Sequence, residues 1–97
     1  MASTVEELTM NYEEDGVEIV RELDKCILSK GAWATVLYRY QELNRAKGEF
    51  SPDKYAIRRY QKTQGEYKQK SKFVISSPKQ ARQIVDTLSG WLPEDEG

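Results

Sequence analysis

At 97 residues, with one cysteine and no histidine, the chain has room for one small domain and few of the side chains that catalysis uses. The missing histidine removes the usual general base near neutral pH and the commonest metal ligand, so no enzyme, metal site or cofactor is expected. The formal charge of −1 conceals three blocks: net −7 over residues 1–24, +10 over 25–82 and −4 over 83–97. A middle segment of that sign attracts polyanions whatever the whole-chain charge. Cys26 alone forms no internal disulfide, and a small buried hydrophobe on a strand is its expected role. No long apolar run or signal peptide is present, so the expected setting is the cytoplasm, or the nucleus if the source has one, without membrane association.

Residues 1–16 read as an acidic, disordered or loosely helical tail, with Thr4 and Glu7 spaced for a capping box. An acidic segment of this kind is also expected to fold over the basic groove and compete with nucleic acid. From Val17 the pattern turns to strand, with β-branched residues in imperfect alternation as far as Leu28 and a turn at Ser29-Lys30-Gly31. Residues 32–44 form the clearest strand. Trp33, Thr35, Leu37, Arg39, Gln41 and Leu43 share one parity, and Ala34, Val36, Tyr38, Tyr40 and Glu42 the other. A loop over 45–53 is marked by Gly48, Ser51 and Pro52.

The third strand is expected near 54–61 and the fourth near 66–76, joined by Lys62-Thr63-Gln64-Gly65. Ser77, Pro78 and Gln80 then announce a helix: an N-cap, a proline at the first helical position and a capping-box glutamine. Its apolar stripe runs through Ala81, Ile84, Val85, Leu88, Trp91 and Leu92, and Gly90 and Pro93 mark its end. The expected fold is therefore α+β: a four-stranded antiparallel β-meander followed by one C-terminal helix (ββββα). The domain spans 17–92, between the acidic tail 1–16 and a short acidic tail 93–97. One helix cannot cover both faces of such a sheet, so a homodimer is expected, with Ile84, Val85, Leu88 and Trp91 in the core or the dimer contact.

Two stretches, Ala56-Ile57-Arg58-Arg59-Tyr60 and Lys72 to Gln80, resemble the third-strand and helix-leading motifs of the transcriptional coactivator positive cofactor four and its small bacterial relatives. The resemblance covers roughly residues 17–92. It implies a homodimer that binds single-stranded DNA across its sheets with little sequence preference, and contact with the transcription machinery. Arg58 matches that family's third-strand arginine, Tyr60 falls among the aromatics after it, and Lys72 matches the lysine that opens the fourth-strand motif. Phe73 and Ser76 depart from the pattern, and a one-residue register slip there would exchange the two faces.

The residues expected to bind nucleic acid are Trp33, Arg39, Lys54, Arg58, Tyr60, Lys62, Lys68, Lys70 and Lys72. The cations would meet phosphates and the rings would stack on bases. Lys68, Lys70 and Lys72 recur every second residue, as a lysine ladder on one face would. Tyr55 shares parity with Ile57 and is expected to be structural. The expected function is a non-catalytic, largely sequence-independent single-stranded DNA-binding protein in transcription, replication or repair. RNA is a second expected polyanion, and the rival reading is an interaction module that docks an acidic partner segment.

Overall fold

The computed structural model describes residues 3–75 and 77–93. Its elements are a short 3₁₀ turn (Val5–Glu7), strands β1 (Tyr12–Glu14), β2 (Val17–Ser29), β3 (Trp33–Asn44), β4 (Glu49–Phe50), β5 (Lys54–Thr63) and β6 (Glu66–Ile75), and helix α1 (Pro78–Trp91). The strands form one antiparallel sheet in the order β1-β2-β3-β5-β6, with β4 beside β3. The expected α+β class, the four long strands and the terminal helix are present. The strand count is six, because β1 and β4 add short pairs at the ends of β2 and β3.

Two hairpins have the same physical origin. Asp15-Gly16 and Gln64-Gly65 occupy the turns β1–β2 and β5–β6 with φ of 52° and 80°, and 53° and 82°. Two successive left-handed residues give the twist that tight antiparallel hairpins require, and glycine adopts the second without a Cβ clash.

The core sits on one face of the sheet. Ala34, Val36, Tyr38 and Tyr40 from β3, Ala56 and Tyr60 from β5, and Tyr67 from β6 are buried together. Their cover is the N-terminal segment: Val5, Leu8 and Met10 belong to the same cluster. Residues 3–14 are therefore not a loose tail. Lys25 donates from its ammonium to the carbonyls of Glu6 and Leu8, and Glu22 accepts from Thr9 Oγ1 (2.8 Å) and the Met10 amide (3.0 Å). The Glu7 carboxylate accepts from the amides of Ser3 and Thr4, as the expected Thr4/Glu7 pairing requires. Apolar anchors and backbone satisfaction hold this segment, and both were hidden beneath its acidic composition.

The opposite face carries Trp33, Thr35, Leu37, Arg39 and Gln41 of β3, with Tyr55, Ile57 and Arg59 of β5 beside them. Its side chains are exposed or half-exposed, apart from Ile75 at the end of β6. We call it the open face.

Helix α1 begins as expected, with the Gln80 amide donating to Ser77 Oγ at 3.1 Å. It does not pack across the sheet. None of its residues is buried, and its substantial contact is with β6 alone. Ile84 is half-buried, and Val85, Leu88 and Trp91 are exposed, so the stripe is not part of this chain's core. Of the acidic stretch expected at 93–97, all but Pro93 lies outside the described residues, as does Ser76.

Candidate nucleic-acid interface

Bulges decide which side chains share a face. In a regular strand alternate residues face the same way, and one extra residue reverses everything beyond it. On β6 the register passes from Arg59↔Ser71 to Tyr60↔Gln69, leaving Lys70 as the extra residue. Lys72 lies opposite Arg58 on the core face, whereas Lys68 lies opposite Gln61 on the open face. The expected lysine ladder therefore does not exist: Lys68 and Lys72 face opposite ways. Two further bulges on β2 leave Leu23 and Leu28 outside the pairing, which explains the imperfect alternation there.

Eight of the nine expected contact residues divide between the two faces, and the ninth, Lys70, is the bulge residue. Trp33, Arg39 and Lys68 lie on the open face. Lys54, Arg58, Tyr60 and Lys62 share the parity of buried Ala56, and Lys72 joins them through its pairing with Arg58. Tyr60 is 4% exposed, and its hydroxyl lies 3.0 Å from that of Tyr38. A ring in that position is core and does not stack on a base. Tyr55, expected to be structural, is half-buried on the open face with Ile57. Cys26, expected to be buried, is exposed opposite Leu37 on that face.

On the open face the cross-strand neighbours form successive rows. Trp33, Gln61 and Lys68 make one, and Thr35, Arg59 and Ser71 the next. Leu37, Ile57 and Phe73 follow, then Arg39, Tyr55 and Ile75. The Arg59 guanidinium lies 4.7 Å from the centre of the Trp33 ring, a cation–π pair that orients the indole at the sheet surface. Trp33 is 42% exposed and Phe73 51%. Arg39 lies 3.8 Å from Asp53, an exposed pair of little energetic weight that leaves its remaining N–H groups to solvent. Arg59 shares the phosphate-contact expectation of Arg39, Lys54, Arg58 and Lys62, whereas Phe73 was not among the expected contacts. The shared odd numbering of Arg59 and Trp33 on paired strands is the signal that links them, whereas Phe73 required the bulge to be known.

The core face has different electrostatics. Lys54 is held by Glu42 at 2.7 Å, and this hydrogen bond raises its pKa. Lys62 lies 5.5 Å from the Tyr67 ring. Burial, and then the hydrogen bond with Tyr60, raises the Tyr38 phenol well above its ordinary value, so it stays neutral. The acidic segment meets bases at its ends: Glu6 pairs with Lys30 and Glu14 with Arg45. It thus covers the tyrosine core, not the expected basic groove, and leaves the open face clear.

Comparison with known protein families, curated proteins and solved structures gives no match. Among the described residues no helix is long and apolar enough to cross a membrane.

Proposed function

We propose that this chain is a non-catalytic single-stranded DNA-binding protein that reads backbone charge and base planes on its open face with little sequence preference. One observation carries the reading: Trp33, braced by Arg59, shares an uncovered sheet face with Phe73, Arg39 and Lys68. Exposed rings offer stacking area to any base, and the interspersed cations meet the phosphates between them. The likeness of the Ala56–Tyr60 and Lys72–Gln80 stretches to the positive cofactor four family points the same way. On that likeness we place the protein inside the cell, in transcription, replication or repair, and acting as a homodimer.

The test is anisotropy of a labelled oligo-dT of about 15 nucleotides, a length within the range such sheets occupy. Binding that survives an excess of matching duplex is expected. Replacing Trp33 by alanine should weaken it by about 1–3 kcal/mol, the worth of one stacked base. With about three phosphates met by Arg39, Arg59 and Lys68, log K should fall against log[salt] with a slope of about −2. Equal displacement by duplex and heparin, with Trp33→Ala inert, would overturn the reading.

A second reading has its own observation. The chain's acidic N-terminal segment already pairs with cations just beyond the ends of β2 and β3 through Glu6–Lys30 and Glu14–Arg45. A module that docks an acidic partner segment would bind a Glu-rich peptide in the same assay and ignore bases.

A further inference from the structure

Arg58 and Lys72 stand directly opposite each other on β5 and β6, on the core face. Like charges in that position repel, because side chains of a cross-strand pair lie about 5 Å apart at Cβ. Neither side chain has a hydrogen bond or ion pair with any described residue; the Arg58 guanidinium lies 6.0 Å from the centre of the Tyr38 ring, and its Nε is buried with no acceptor. The carboxylate that lines the same cleft, Glu42, is engaged by Lys54. A buried donor left unsatisfied and an unneutralised pair of cations are both unfavourable, and a single bound anion relieves both.

These residues line a cleft of about 280 Å³ between the N-terminal segment and β6. Arg58, Lys72 and Glu42 supply its polar side, and Met10, Tyr40 and Val74 its apolar side. The volume exceeds what a bare inorganic anion fills, and Val74, 40% exposed, leaves apolar surface at the rim for a nucleoside. Two cations suit a dianion, and a terminal phosphate carries about −1.5 to −2 at neutral pH.

We infer that the Arg58–Lys72 cleft is a binding site for a terminal phosphate carried on a nucleoside, with the phosphate between the two cations and the nucleoside over Val74 at the rim. The ligand is either a free mononucleotide or the 5′-phosphorylated end of a strand. The site lies on the face opposite the proposed single-strand platform and does not rest on it.

The test uses the full chain with isotope-labelled arginine side chains and follows the Arg58 Nε–Hε resonance. Thymidine 5′-monophosphate should move that resonance, and thymidine should not. Lys72 is exposed, so Lys72→Gln should keep the fold while weakening the monophosphate at least about tenfold, the loss of one charge-assisted hydrogen bond. Tighter binding of 5′-phosphorylated over 5′-hydroxyl oligo-dT, abolished by Lys72→Gln, assigns the site to a strand end. Equal binding of the two oligomers, with the monophosphate still moving Arg58, assigns it to a free nucleotide. An Arg58 resonance unmoved by the monophosphate and by inorganic phosphate overturns the inference, as does Lys72→Gln binding the monophosphate as the parent does. Trp33→Ala should leave the Arg58 response intact, so failure here is distinguishable from failure of the open-face reading.

Discussion

Tyr38 shows how a residue type that suits an exposed strand becomes the centre of a core. It has no exposed surface, and its hydroxyl is satisfied by Tyr60 across the β3–β5 pairing. Burial is what makes that hydrogen bond necessary, because an unpaired hydroxyl there would forfeit its hydration without return. The same burial raises the phenol's pKa above its ordinary 10.0, with the Tyr60 hydrogen bond reinforcing it. A raised pKa in the folded state means that the protonated form is favoured by folding. The associated stability is complete below pH 10 and is lost as pH rises beyond it. Tyr38 is therefore expected to stay un-ionised through the range of an ordinary phenol and to titrate together with loss of the sheet, seen by tyrosinate absorbance alongside circular dichroism. Tyr38→Phe keeps the ring but strands the Tyr60 hydroxyl, and should lower stability by about 1 kcal/mol in urea. A Tyr38 that ionises freely near pH 10 in the folded protein would contradict this account.

At the scale of elements, the N-terminal segment separates composition from structure. Glu6 is held below the usual carboxylate range by its hydrogen bond from Lys30, Glu7 by the amides of Ser3 and Thr4, and Glu14 by its hydrogen bond from Arg45. For carboxylates lowered on folding, the contribution is present above the unfolded value near 4.5 and disappears as pH falls through the folded values. On acidification below about pH 4.5, residues 5–10 should lose amide-exchange protection before β3 does. Protection lost in both at the same pH would show that these contacts do not hold the segment. Much of the architecture was legible: the Gln64-Gly65 turn, the Ser77 cap, the long strands and the apolar stripe all follow from local rules that the chain obeys. The Asp15-Gly16 turn carried the same hairpin signal as Gln64-Gly65, yet the acids around it gave residues 1–16 the look of a tail. The faces were not legible. Bulges at Leu23, Leu28 and Lys70 each reverse parity, and nothing in a single strand's pattern fixes where an extra residue falls. Lys70 therefore separated the expected lysines, and the cover over Tyr60 came from a segment whose three buried apolar residues are spread among acids.

The whole molecule is a plate measuring 47 × 38 × 18 Å, with its core on one face and a helix that buries none of its residues. A 14-residue helix is marginal in water on its own, because nucleation is unfavourable and propensity alone barely offsets it. Yet α1 carries a complete apolar stripe ending in Trp91, which is 77% exposed, and Val85, Leu88 and Leu92 stand beside it at 51%, 44% and 61%. The segment that covers the core face does not cover this stripe, so a surface to shield it would have to come from elsewhere. The proposed homodimer would supply it: two such stripes packed about a twofold axis are self-complementary. The expected result is a wild-type mass of twice 11.2 kDa by sedimentation equilibrium at micromolar concentration. Leu88→Asp, which places a charge in the middle of the stripe, should halve that mass and reduce helical circular dichroism, because an uncovered α1 has little to hold it. The sheet should persist in that variant, since its core contains no residue of α1. A wild-type monomer that retains full helicity at that concentration would sink the dimer and mean that α1 is held by its contact with β6 alone.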